Sequence, residues 1–285
     1  MKRIFIWILL LVCIFAFAAC RISPPVETKP TEPSAPTQPT APTAPTEQTK
    51  PTTTTKPTAP PTEPPTVPTE PPTQPTEPPH SDLYIEGVSV EDVIRYFNEV
   101  CLDAEFSSGG DPQKIQKWGA PIKYILDGAY TQEDAAKLNQ FAAWLNTIEG
   151  FPGMSETKLW AEANMKIYFR NQSGLVALMG NNFAGCDGGV TFWYRNDIIY
   201  DATVCYRTDI DQYLRNSVIL EEIYNGLGPV QDTSLRKDSI IYSGFSQPQW
   251  LTAVDELIVK LLYHPDIKCG MDAAACESVI RSLYY

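Results

Sequence analysis

Sixty residues, Arg21 to His80, hold 20 of the chain's 26 prolines together with 17 threonines, and they confine any packed fold to the residues beyond them. Each proline fixes its own φ and removes a backbone donor. No apolar face is available there to offset the entropy of ordering. A seven-residue repeat closes the stretch, EPPTVPT at Glu63–Thr69 and EPPTQPT at Glu70–Thr76. The composition predicts a polyproline II spacer with an upper reach of roughly 190 Å, from about 3.1 Å per residue. Its threonines are candidates for glycosylation. The chain thus divides into three parts: residues 1–20, the disordered spacer 21–80, and a globular domain at 81–285.

The first part, MKRIFIWILLLVCIFAFAAC, places Lys2 and Arg3 before an apolar run, Ile4 to Phe17, that ends in Ala18, Ala19 and Cys20. This is the layout of a secretory signal peptide, and the run is short for a membrane span, which wants about twenty apolar residues. Small residues before a cysteine resemble the bacterial lipobox, which implies lipidation of Cys20. The expectation is a lipid-anchored protein on the extracytoplasmic face of the cell membrane, with the membrane as one partner. An ordinary signal peptide in which Cys20 is incidental is the plainer alternative.

All of the chain's net charge of −12 falls on residues 81–285, as 16 basic against 28 acidic residues. An acidic surface without a basic cluster argues against nucleic acid as a partner.

Five helices are predicted. Ser89 opens the first, with Asp92 at the capping-box position and Val93, Phe97 and Val100 as its apolar stripe. Thr131 opens the second, which runs to a stop at Gly150. The third covers Asp211 to Leu227, the fourth follows a Thr252–Asp255 capping box as far as His264-Pro265, and the last runs from Asp272 to Leu283. Strands are predicted at Pro121–Leu126, Met165–Phe169, Val190–Tyr194 and Ile198–Tyr206. The order gives an α+β fold, a twisted and mostly four-stranded sheet backed by helices, with a helical C-terminal part.

Five cysteines belong to the globular part: Cys101, Cys186, Cys205, Cys269 and Cys276. Their odd number leaves one free or paired elsewhere. Cys269 and Cys276 are candidates for a disulfide if the chain turns at Gly270, the other reading being two buried thiols. Cys186, in GCDGG, has the look of a nucleophile, but no base stands near it in sequence, and a glycine-rich turn explains it as well.

ILEEIYNGLG, Ile219 to Gly228, has the rhythm of the zinc-protease helix H-E-x-x-H-x-x-G. Glu221 and Asn225 stand where that motif has its two histidines, Glu222 where it has the catalytic glutamate, and Gly228 where the chain bends away. Gln231 falls at the third-ligand offset. The chain's two histidines, His80 in the spacer and His264 after the fourth helix, cannot assemble a histidine-based zinc site, so no metal and no cofactor is expected. A hard-cation site from Glu221, Glu222 and Asp232 lacks the spacing of a calcium loop. A structural role for the two glutamates, paired with Arg215 or Arg236, is a third reading.

Downstream, DSIIYSG (Asp238–Gly244) resembles the Met-turn of metzincins, with Ile241 at the methionine. Taken together, FNEVCLDAEF, Lys117-Trp118, Ala163-Asn164, ILEEIYNGLG with Asp232, and LYHPDIKCGM resemble a bacterial family known as domain of unknown function 2927, over about Val90 to Met271. This chain departs from that family at Pro229, where leucine is usual. The resemblance implies a zincin-like fold from which the zinc-ligand histidines are missing. The function expected is therefore non-catalytic binding of a protein, peptide or cell-wall ligand. A divergent extracytoplasmic hydrolase using Glu222 as general base, with Glu221, Asn225 and Gly228 as remnants of the motif, is the alternative.

Overall fold

The computed structural model describes residues 14–17, 81–102 and 114–285, the first of these through backbone pairing alone. Cys20 and the spacer lie outside the described residues.

An early strand, β1 (Ile14–Phe17), comes from the segment expected to be a leader. Helix α1 (Val90–Leu102) is followed by β2 (Lys117–Trp118), β3 (Ile122–Gly128), α2 (Gln132–Leu145), β4 (Met154–Glu156), β5 (Met165–Arg170), α3 (Gln172–Met179) and a 3-10 turn at Asn181–Phe183. Strands β6 (Gly188–Arg195) and β7 (Ile198–Arg207) precede α4 (Gln212–Gly226), α5 (Ala253–Tyr263) and α6 (Ala273–Leu283).

This is a mixed α/β fold around a mostly parallel sheet. Its path runs β1-β6-β7-β5-β3-β4, with β2 lodged beside β7. Strands β7, β5, β3 and β4 are parallel, whereas β6 runs antiparallel to β7 and β1 antiparallel to β6. The expected four strands are β3, β5, β6 and β7, so the sheet is wider than predicted. The additions are two- to four-residue strands, too short to show a period of two. Asn196 and Asp197, at φ 52° and 61°, form the tight β6–β7 hairpin turn, the two positive φ values a type I′ turn demands.

Along the inner face, Met165, Ile167 and Phe169 of β5 alternate with half-buried Lys166, Tyr168 and Arg170. That face packs with Val190, Phe192, Val204 and Tyr206 against the helices, in one apolar cluster reaching from Leu83 to Tyr284. On the other face α3 covers a small second cluster of Leu175, Phe183, Cys186 and Cys205. Helix α3 goes beyond the five predicted helices: only Leu175 of its eight residues is buried, so QSGLVALM carries no apolar stripe.

Helix α2 ends at Leu145 rather than Gly150. Asn146 caps it and turns the chain outward, its side chain bonding both Met154 N (2.7 Å) and Met154 O (2.9 Å). Gly150 is still required, because at φ 79° a Cβ there would lie 2.2 Å from the carbonyl oxygen of Tyr263.

The candidate Cys269–Cys276 disulfide is not formed; both thiols are free, as are those of Cys101 and Cys205. Cys276 is fully buried on the core side of α6, while the Cys269 sulfur lies 3.9 Å from the Lys117 carbonyl oxygen. Cys186 is disulfide-bonded.

Candidate functional site

Asp211 caps α4 by accepting the N–H of Leu214 at 3.0 Å. From Leu214 to Gly226 every residue of the helix is buried. Among them are Ser217 (0 % exposed), Glu221 (1 %), Glu222 (1 %) and Asn225 (3 %). Spacing of four places Ser217, Glu221 and Asn225 along one stripe. Glu222, one position round, faces the sheet: a Cβ on Gly188 of β6 would lie 3.0 Å from Glu222 Cγ and 3.1 Å from its Oε1. Its charge is also felt by Cys205 and Tyr206. Burial lifts the Cys205 thiol to about 12 and the Tyr206 hydroxyl far above its usual range, and Glu222 adds to both shifts.

The arginines considered as partners for these glutamates bond elsewhere. Arg215 Nε donates to Asp134 Oδ1 at 2.9 Å, a buried pair tying α4 to α2, and Gln212 donates to the same oxygen at 2.6 Å. Burial by itself would raise the Asp134 carboxyl; Arg215, the Thr131 N–H and Gln212 outweigh it and hold the group below its usual range. Arg236 pairs with Asp238.

The end of α4 is fastened from three directions. Trp118 Nε1 donates to Gly226 O and Tyr263 OH to Leu227 O, each at 2.8 Å, and Gln231 N donates to Val100 O at 3.2 Å. Gly228, at φ 130°, lies so close to β2 that a Cβ would fall 2.3 Å from Gln116 O. At the third-ligand offset, Gln231 spends its amide N–H on Asp232 O (3.1 Å). His264 sits at the C-cap of α5, where its Nδ1 accepts the Asp266 N–H at 3.2 Å.

Beneath the helix lies a hub that the sequence shows only as a capping box. Asp255, fully buried, accepts from Thr252 N (3.1 Å) and Thr252 Oγ1 (2.9 Å), and its carboxylate also takes Ile240 N at 3.2 Å. The hydroxyls of Tyr96 and Ser239 both lie 2.8 Å from Asp255 Oδ1. One carboxylate thus ties α1, α5 and the 238–244 turn together, and Tyr224 OH reaches the Asp255 carbonyl at 3.0 Å. Burial and the Asp255 charge push the Tyr96 hydroxyl far above its ordinary range.

Residues 90–282 match the family model described as a protein of unknown function, DUF2927. The chain belongs to the DUF2927 family. No curated protein matches it.

The lettering that marked the DUF2927 resemblance converges in space. Lys117 Nζ donates to Leu262 O (2.7 Å) and Ile267 O (2.6 Å), and Gly270 N to Ile115 O (2.9 Å), so KW and LYHPDIKCGM clasp each other beside the end of α4. Asn164 bridges strands, its Oδ1 taking Lys123 N (2.7 Å) and its carbonyl Ala202 N (2.8 Å). In this DUF2927 domain those motifs are fastenings around α4. The donor set of α4 itself, two carboxylates and an amide, does not fit a catalytic zinc, which takes imidazole or thiolate nitrogen and sulfur with at most one carboxylate. Among the described residues no group of three or more His, Cys, Asp or Glu could hold a metal ion.

Proposed function

We propose that this DUF2927 protein is a surface-anchored bacterial lipoprotein whose zincin-like domain binds an extended partner segment along β6 without metal catalysis. Four features support the zincin-like part. The sheet follows the order β4-β3-β5-β7-β6 with β6 alone of these antiparallel. A buried helix carrying E-x-x-x-x-x-G lies across β6, the 238–244 turn is docked beneath it, and α5 closes the domain. The histidines a zinc site needs are missing from α4.

The observation that carries the binding reading is the pairing of β1 with β6. Ile14 to Phe17 adds antiparallel to Trp193 to Val190, so the outer edge of β6 accepts an extended strand. An unpaired edge offers a row of N–H and C=O groups to another chain. Strand β1 belongs to the segment expected to leave with the leader, and its departure bares that edge. No described helix is long and apolar enough to cross a membrane.

Hydrogen exchange on the mature chain, begun at Cys20, tests this. A synthetic peptide carrying IFAF should protect the amides of Val190 to Trp193; unchanged exchange there would overturn the edge reading. One stoichiometric zinc per purified chain would overturn the metal-free part.

A further inference from the structure

Beside the end of α5 lies a cavity of about 430 Å³, and no residue of α4 or β6 lines it. Its apolar lining comes from buried Leu83 and Ile148 and half-buried Leu283. Helix α5 contributes Lys260 and its cap residue His264, four positions apart and therefore on one side of the helix. His264 Nδ1 accepts the Asp266 N–H at 3.2 Å, so the proton of the neutral ring sits on Nε2 as a donor toward the cavity's solvent. Asp82 and Glu149 line the same space. Among the described residues Lys260 Nζ has no ion pair or hydrogen bond, and neither has the carboxylate of Asp82 or of Glu149. Opposite charges thus line one cavity without meeting.

The fold keeps them apart. Gly150, at φ 79°, lies against the Tyr263 carbonyl, and the Phe151 and Tyr263 rings meet edge to face with centroids 4.8 Å apart, so the turn that carries Glu149 is clamped to the end of α5. Asp82 sits in a turn closed by Leu83 N on Ser81 Oγ and by Tyr84 N on Ser81 O, each at 3.0 Å. That turn leads into a segment tied to the end of α6, where Tyr284 OH lies 2.8 Å from Val88 O and 3.2 Å from Ile85 O. Backbones fixed in this way hold the site ready for a ligand, and little ordering is left for binding to cost.

We infer that this cavity binds a small zwitterion, a free amino acid or dipeptide with an apolar side chain. The ligand's carboxylate takes Lys260 Nζ and His264 Nε2, and its ammonium takes Asp82 and Glu149. Its side chain lies on Leu83, Ile148 and Leu283. A ligand of one sign would satisfy half of these groups and be repelled by the rest. The volume falls within the roughly 300–1,000 Å³ of small-molecule sites. The site is separate from the β6 edge and stands without the strand-addition reading.

Calorimetric titration of the full chain with leucine, leucyl-leucine, N-acetyl-leucine and leucinamide tests the inference. At least one of the two zwitterions should bind, and each single-charge analogue should bind about tenfold more weakly, the order that one charge-assisted contact supplies. Lys260→Met should bring the zwitterion down by about the same factor while leaving leucinamide unchanged, which also shows that the variant is folded. Asp82→Asn combined with Glu149→Gln should do the converse, weakening the zwitterion and leucinamide and sparing N-acetyl-leucine. Binding of neither zwitterion overturns the inference. So does equal affinity for the zwitterions and the single-charge analogues, or a zwitterion affinity that survives both sets of substitutions.

Discussion

Gly188 on β6 lies against Glu222 on α4 with no room for a side chain between them: a Cβ would stand 2.6 Å from Val218 Cγ1 and 3.0 Å from Glu222 Cγ. Gly188→Ala should therefore lower stability by about 1–3 kcal/mol, the usual cost of overpacking. Adding Val218→Ala opens the closest contact and should recover part of the loss. Urea unfolding of the two single variants and the double variant measures the coupling, and strictly additive effects would contradict the contact.

The end of α4 depends on hydroxyl and indole donors brought from distant segments. Tyr263→Phe leaves the Leu227 carbonyl without its 2.8 Å donor, and Trp118→Phe does the same to Gly226 O. Each should cost about 1–3 kcal/mol, the penalty for a buried acceptor left unpaired. Gly228→Ala should cost at least as much, since it combines a φ of 130° with a Cβ 2.3 Å from Gln116 O. Thermal midpoints falling in all three variants, with far-UV spectra unchanged, would bear this out.

Much of this scaffold is legible in the sequence. Thr252 and Asp255 form the predicted capping box, α5 follows it directly, and β5 and β7 lie within a residue or so of their predicted spans. Those features are local, written in capping chemistry and in alternation. Convergence is not local, and the sequence does not show it. Asp255 reads as an N3 cap, yet the same carboxylate gathers Tyr96 and Ser239 from 159 and 16 residues away. The burial of Glu221 and Glu222 is equally hidden: ILEEIYNGLG has the charge of a half-exposed helix, and its mean polarity gives no hint that its helical residues are enclosed. Nor does spacing find the partner of Arg215, because Asp134 lies 81 residues away on α2.

Thiol chemistry separates the cysteines. Among the described residues a neutral alkylating agent should modify Cys269 first in the native chain, because it alone of their four free thiols is partly exposed. Cys101 and Cys276 are buried, and burial holds both thiols in the protonated form, Cys276 up to about 11. In denaturant Cys101, Cys205, Cys269 and Cys276 should all react. Peptide mass mapping gives the order, and early labelling of Cys101 would contradict the packing of α1 against the core.

Acid should act through the Asp134–Arg215 pair. The folded-state carboxyl titrates below its ordinary value, so it contributes stability that is fully present above about pH 4 and is lost as the pH falls through the depressed folded pKa. Asp134→Asn removes that dependence, leaves the Arg215 cation buried beside an amide, and should lower stability at neutral pH by about 3–5 kcal/mol. The difference between wild type and variant should shrink as the pH is lowered below 4, and a constant difference would show that the carboxylate is not what Arg215 requires.

Alkali should act through Lys117 in the opposite sense. Desolvation depresses its ammonium to about 8, so between about pH 8 and 10 the unfolded chain holds a proton that the folded chain has released. Stability from this group therefore rises with pH across that window. The neutral amine loses nothing in bonding, because its two remaining N–H donors match its two acceptors, Leu262 O and Ile267 O. Buried thiols and tyrosines titrate with the opposite sign nearby, so the measurement is a difference. Lys117→Met leaves both carbonyls without their donor and should be less stable than wild type at pH 7, and that deficit should widen as the pH is raised to 9.5. A deficit that narrows would mean that the charge on Lys117, rather than its hydrogen bonds, holds the KW segment to the end of α5.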